Sequence, residues 1–181
     1  RRTENGSRPA LLHLFDLCAL VCTPGLGLGR LANFVNGELL GRVVAPPGEK
    51  GPWWSVQFPQ EVLDGHAPLL SPKHEAALAK LCSEVAPGLD FDHAYARVLD
   101  LLHSGPAARR QEIIEALTPV ISSRHPSQLY QCFCESIVVG VALWMIWRKP
   151  RKPGVITAWF LIIYGVGRVL TELWRLPDAD L

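Results

Sequence analysis

The sequence predicts an all-α polytopic membrane protein, in which three transmembrane helices carry a small, mostly helical extracytoplasmic head. Three observations lead there. Pro9 to Gly29 and Pro126 to Trp147 hold a single charge each, Asp16 and Glu135, and Pro153 to Gly167 holds none. Basic residues gather at Arg1, Arg2 and Arg8 before the first of these stretches, and at Arg148, Lys149, Arg151 and Lys152 between the second and third. The segment between the first two is polar and punctuated by helix start and stop signals.

Each near-uncharged stretch matches the roughly 20 residues needed to cross about 30 Å of hydrocarbon. The third keeps its apolar character through Arg168 to Trp174. Buried helices of a soluble bundle would show a polar stripe at every turn; residues 137–147 (IVVGVALWMIW) show none. Both basic clusters are expected on the cytoplasmic side. The first span then runs outward, the second returns and the third exits again, with Trp144, Trp147, Trp159 and Trp174 as interfacial anchors. Residues 43–124 fall outside. They carry ten acidic and seven basic residues, a net of −3, and a loop of that length is indifferent to the sign.

Composition narrows the classes further. With 49% hydrophobic and 19% charged residues the 181-residue chain is not disordered. A net charge of +1 argues against a nucleic-acid-binding surface. The sole methionine, Met145, and the opening Arg1-Arg2 suggest a piece of a longer product.

Within the head, Trp53 to Phe58 has strand-favouring composition before Pro59. Ser71-Pro72 reads as an N-cap followed by proline at the first helical position. Ala77, Leu78, Leu81, Cys82 and Val85 follow at helical spacing until Pro87-Gly88. A second apolar face (Phe91, Tyr95, Val98, Leu99, Leu102) ends at Ser104-Gly105-Pro106, and a third (Ile113, Ile114, Leu117) ends before Pro119. The expected organisation is residues 1–42, first span and motif; 43–124, extracytoplasmic head; and 125–181, second and third spans.

Some signals carry little. Gly27-Leu28-Gly29-Arg30-Leu31-Ala32 fits a dinucleotide fingerprint in letters, but no strand precedes it and no βαβ unit follows; close helix packing or a local unwinding explains its glycines better. Cys18, Cys22, Cys82, Cys132 and Cys134 lack partners at zinc spacing and read as small packing residues. His66, His74, His93 and His103 read as solvated, and His13 as a hydrogen-bonded core residue. The sequence calls for no cofactor and no metal.

Chemistry concentrates in three polar clusters at the ends of the apolar segments, where charge is costly and marks function. The first is Gly29 to Arg42 (GRLANFVNGELLGR), with Arg30, Asn33 and Phe34 on one helical face and Glu38–Arg42 as an i,i+4 pair. The second is Arg124 to Gln131 (RHPSQLYQ). The third is Tyr164 to Arg175 (YGVGRVLTELWR), with Arg168, Glu172 and Arg175 on one side.

These clusters, in this order, closely resemble the signatures of the prolipoprotein diacylglyceryl transferase family. Residues 29–38 resemble its first signature, with Ala32 where glycine is usual. His125 to Gln131 is similar to its HPSQLYE, with Gln131 in place of the glutamate. Tyr164-Gly165 with Arg168 and Glu172 resembles its third motif, and residues 175–181 (RLPDADL) its Arg-x-Pro-Asp ending. The resemblance implies an enzyme of the bacterial inner membrane that moves a diacylglyceryl group from phosphatidylglycerol to the lipobox cysteine thiol of a prolipoprotein. It also implies roles: Arg30, Arg168 and His125 as catalytic residues, with Arg30, Asn33, Asn36, Glu38, Tyr130, Tyr164 and Glu172 binding substrate. Glu38 and Glu172 are expected to hold the guanidinium groups. The partners implied are phosphatidylglycerol, the lipobox segment and the bilayer, with no nucleic acid. The family's upstream histidine-containing segment and its final membrane helix are not matched, so an incomplete enzyme is expected. An anion-binding transporter, or a membrane protein that binds phospholipid without reacting, is the alternative.

Overall fold

Seven α-helices and three short strands build two compact units in the computed structural model, which describes residues 11–63 and 70–175. Arg1, Arg2, Arg8, His66 and the Leu176–Leu181 ending lie outside the described residues. One unit comprises the chain up to Leu39 together with Ser127 onward; the other is Leu40–Pro126.

The first unit is a bundle. Helix α1 spans Leu11–Asn36; a second continuous helical run, Ser127–Trp147, consists of α5 (Ser127–Cys132), a π-helical segment (Phe133–Val138) and α6 (Val139–Trp147); α7 spans Val155–Glu172. These three are long and apolar enough to cross a membrane. Most of their surface faces outward, with Val21, Leu28 and Val169 about 70% exposed. Helices apolar all round are stable only in lipid or in a large core. The protein is a multi-pass membrane protein. Ala19, Val139, Leu143 and Ile156 form the small dry contact between the helices.

Helix α1 runs through Pro24 without breaking. Proline removes the N–H that would reach the Leu20 carbonyl. Thr23 repairs this locally, its hydroxyl donating to Leu20 O at 3.0 Å. Gly27 supplies the close packing expected of the glycine cluster: a Cβ there would lie 2.5 Å from Ser136 Oγ in the π-helical segment. The fingerprint-like letters therefore sit mid-helix, with no strand before them.

Asp16 joins the two ends of the sequence. It is 4% exposed and accepts hydrogen bonds from Gly154 N (2.7 Å), Thr157 N and Thr157 Oγ1 (both 2.8 Å). Helix α7 begins at Val155 with Gly154 in the left-handed region as its N-cap, so glycine brings no side chain to the free N–H groups there. Asp16 caps α7 from a different helix, opposite the positive end of its dipole.

The second unit contains α2 (Pro72–Val85), α3 (Phe91–Ser104) and α4 (Ala107–Leu117), as the punctuation predicts. Ser71 and Asp90 cap α2 and α3 by accepting from His74 N and His93 N. Leu78, Leu81, Tyr95, Val98, Ile113 and Leu117 fill the core. Cys82 packs among them, and burial pushes its thiol pKa up, in keeping with a packing role. Tyr95 is fully buried and donates to Pro59 O at 2.8 Å.

A small antiparallel sheet, absent from the sequence expectation except at Trp53–Phe58, completes this unit. Its order is β1 (Val43–Ala45), β3 (Ser123–Arg124), β2 (Val56–Gln57). Arg124 stands opposite both Val43 and Val56. Its side chain is fully buried, with Nε donating to Glu61 Oε2 at 2.5 Å and Nη1 to Gly41 O at 3.0 Å. Glu61 also accepts from Ser122 N (2.7 Å) and Ser122 Oγ (2.5 Å). Gly41 is required by closeness alone: a Cβ would come within 2.1 Å of the His125 carbonyl oxygen.

Candidate active site

Helix α1 places Arg30 and Asn33 one turn apart, as the 3.6-residue period demands. Both border a groove of about 430 Å³ whose other walls are Cys22, Gly25, Leu26 and Gly29. Gly25 and Gly29 leave that side of the helix open, with nothing within 4 Å of either Cβ position. The groove is apolar along its length, with a cation and an amide at one end.

The partner of Arg30 is Glu135, not Glu38. Arg30 Nε donates to Glu135 Oε2 at 3.0 Å and Nη2 to Oε1 at 3.4 Å; the carboxylate is fully buried and the guanidinium is 16% exposed. This side-on pairing leaves the Nη1 end of the fork without a partner among the described residues. The Glu38–Arg42 helical pair does not form either. Helix α1 stops at Asn36, and left-handed Gly37 (φ 71°) and Leu39 (φ 55°) turn the chain off the axis. Glu38 instead accepts from Asn36 Nδ2 at 3.4 Å.

The turn at residues 37–39 is tied down from α5. Gln128 Nε2 donates to Glu38 O at 2.6 Å and Ser127 Oγ to Leu39 O at 3.2 Å. A non-glycine residue at positive φ costs on the order of 1 kcal/mol, and these bonds hold it in place. Gln128, Gln131 and Glu135 follow at spacings of three and four, and so share one face of this helical run. All three are fully buried. Neither polar atom of the Gln131 amide has a hydrogen-bond partner, nor does Gln128 Oε1.

Arg168 on α7 lies with Nη1 3.0 Å from Glu172 Oε2, and Arg175 Nη1 is 3.8 Å from Glu172 Oε1, the one-sided grouping the sequence predicts. The Arg168 Nη1 contact is close but off the hydrogen-bond direction, leaving that buried atom without a hydrogen bond. Tyr130 meets Trp174 edge to face at 6.1 Å. Tyr164 stacks on Phe160 at 5.6 Å and packs against the bundle core.

The Asp16 cap sets the height of these groups. It pins α1 and α7 side by side and parallel at one end. Arg30 is 14 residues beyond Asp16 (30 − 16), and Arg168 is 14 beyond Gly154 (168 − 154). At 1.5 Å per residue both guanidinium-bearing positions stand about 21 Å from the cap. Two arginines far apart in sequence thus share one level of the bundle.

His125 belongs to the other unit. It stacks on Trp54 (ring centroids 4.8 Å apart), its N–H donates to Arg42 O at 3.0 Å, and burial lowers its pKa. Sequence reasoning missed Glu135 as part of the cluster, and held Gln128 only as a letter of the second motif with no role of its own. The available signal was that Glu135 is the lone charge of its span and lies seven residues after Gln128.

A family model described as prolipoprotein diacylglyceryl transferase matches residues 4–181. Three curated relatives carry the name phosphatidylglycerol–prolipoprotein diacylglyceryl transferase. That of Bdellovibrio bacteriovorus is 36% identical, the match covering 94% of this chain and 51% of the relative. That of Ralstonia pickettii is 35% identical, covering 92% and 44%, and that of Xylella fastidiosa strain M23 is 33% identical, covering 95% and 47%. The chain spans about half the length of the curated relatives it matches.

Proposed function

This chain belongs to the prolipoprotein diacylglyceryl transferase family, and from that premise we propose that the protein it forms part of transfers a diacylglyceryl group from phosphatidylglycerol to the lipobox cysteine thiol of a bacterial prolipoprotein. The substrate sulfur forms a bond to the glycerol carbon of the diacylglyceryl group, the bond from that carbon to phosphate oxygen breaks, and glycerol phosphate leaves with the electron pair. The thiol proton goes to a base; His125, whose lowered pKa keeps it neutral at physiological pH, is the candidate within this chain. The inner membrane is the proposed location, with residues 43–124 on the outer side.

The observation that carries this reading is the pair of arginines at one level, each with donor capacity left over. A departing phosphate needs preorganised cations where charge develops. Arginine keeps its charge in a low-dielectric site and presents a planar fork. Glu135 and Glu172 hold the two guanidinium groups apart from substrate, which lowers the cost of burying two like charges. Asn33, Asn36 and Glu38 lie where α1 ends and serve the glycerol headgroup; Tyr130 and Tyr164 shape the walls. The groove beside Arg30 suits an acyl chain running from a phosphate.

In a complete enzyme carrying this segment, Arg30→Ala or Arg168→Ala should abolish conversion of a lipobox peptide to its diacylglyceryl form when phosphatidylglycerol is supplied. Lysine at either place should rescue poorly because the fork is lost. The double variant should be scarcely worse than either single one, as for groups acting as a unit. Near-normal conversion by either alanine variant would remove the shared-phosphate mechanism.

A further inference from the structure

The bundle carries a second cationic feature, at the end opposite Arg30 and Arg168. The link from α6 to α7 and the start of α1 enclose a cavity of about 330 Å³. Arg148, Lys149 and Arg151 line it. Leu17, Trp147 and Ile156 supply the apolar part of its wall. Arg148 sits over the Trp144 ring at 4.9 Å, and no ion pair engages it, Lys149, Arg151 or Lys152 among the described residues.

That lack of pairing is informative because an acid lines the same cavity. Asp16 is there, yet both its oxygens are occupied by Gly154 and Thr157, and its charge faces the positive end of α7. Among the described residues the cations therefore keep their charge for an outside anion. The lining is also amphipathic, with cationic groups beside aliphatic and indole surface. A free phosphate would leave that wall unused, whereas a phosphodiester on a glycerol backbone would cover it. Basic clusters next to a membrane helix attract anionic headgroups, each cation adding to the affinity.

We propose that this cavity binds the headgroup phosphate of an anionic phospholipid in the leaflet that meets the α6–α7 link. The site is separate from the arginines of the proposed reaction, and it stands whether or not that reaction does. Its occupant would bridge the link to α1 and so brace the end of the bundle where α7 is capped.

Native mass spectrometry of the full chain released from detergent micelles tests this, with phosphatidylserine as probe, phosphatidylcholine as the zwitterionic control and millimolar inorganic phosphate as competitor. The wild type should retain one phosphatidylserine and not phosphatidylcholine. The triple variant Arg148→Gln/Lys149→Gln/Arg151→Gln should bind it about a hundredfold more weakly, while Lys80→Gln on the surface of α2 should leave retention unchanged. Equal retention by the triple variant, equal retention of phosphatidylcholine, or complete displacement by inorganic phosphate would each overturn the assignment. A second measurement needs no variant. A phosphatidylserine with a photoreactive headgroup should label the peptide around residues 147–156 of the wild type in nanodiscs, and labelling confined to other peptides would equally refute the site.

Discussion

Both units bury an arginine against a glutamate, but they finish the job differently. In the head, Glu61 receives Arg124 Nε, Ser122 N and Ser122 Oγ, and Arg124 reaches on to Gly41 O; the pair is closed and fully inside. In the bundle, Arg30 is satisfied on one edge only, and Gln128, Gln131 and Arg168 keep buried polar atoms with no hydrogen bond. A native protein leaves few such groups, and each one needs an explanation. The same residue types thus form one network whose hydrogen bonds are filled and one, among the described residues, whose bonds are not; under the proposed function a ligand would fill the second.

The strongest way to break this distinction is to open the closed pair. Arg124→Met leaves the Glu61 carboxylate buried without its cation, which should cost about 3–5 kcal/mol. Chemical denaturation of the full chain, followed by the near-ultraviolet signal of Trp54 on His125, would read the loss. The double variant Glu61→Leu/Arg124→Met should recover much of it, because two apolar groups leave nothing uncompensated. A single variant costing under about 1 kcal/mol would mean that the pair is not holding the sheet.

The converse change should have the opposite sign. Gln131→Leu removes an amide that has no partner, so the substrate-free bundle should become more stable by about 1–2 kcal/mol. Binding of phosphatidylglycerol should weaken at the same time, by about tenfold if one hydrogen bond to the headgroup is lost. Thermal unfolding in detergent with and without the lipid separates the two effects. Destabilisation without lipid would show that Gln131 is a structural residue after all.

The smallest effect concerns pH. Burial lowers the His125 pKa in the folded head, so the unfolded chain binds the proton more readily. Its contribution to stability is present above the ordinary histidine pKa of about 6.5 and is lost as pH falls below it. Denaturation midpoints of the full chain between pH 7.5 and 5.5 should fall slightly, and His125→Asn should remove that part of the slope. An unchanged slope would place the acid sensitivity elsewhere.

The three spans were legible because lipid demands long uncharged runs, and the head helices because Ser71-Pro72, Asp90 and Ser104-Gly105-Pro106 state their ends. The three polar clusters were legible as motifs. What the sequence could not supply was pairing across distance. Arg30 and Glu135 are 105 positions apart, Arg124 and Glu61 are 63 apart, and nothing local distinguishes Glu135 from Glu38 as the partner. The Glu38–Arg42 expectation failed for a local reason instead, since Gly37 and Leu39 end the helix between them. The sheet was missed because its strands are two or three residues long, too short to show alternation.

The Asp16 cap also imposes an order of events on synthesis. Gly154 lies 138 residues downstream, so at roughly 5–20 residues per second the ribosome needs about 7–28 seconds to deliver the groups that this carboxylate serves. Throughout that interval α1 holds an acid whose insertion at mid-membrane would cost roughly 2.5–3.5 kcal/mol. Asp16 is only five residues beyond Leu11 where the helix starts, about 7.5 Å along it, and can wait at the aqueous boundary. When α7 arrives, its first turn claims the waiting carboxylate, and this span is seated by a residue made long before it.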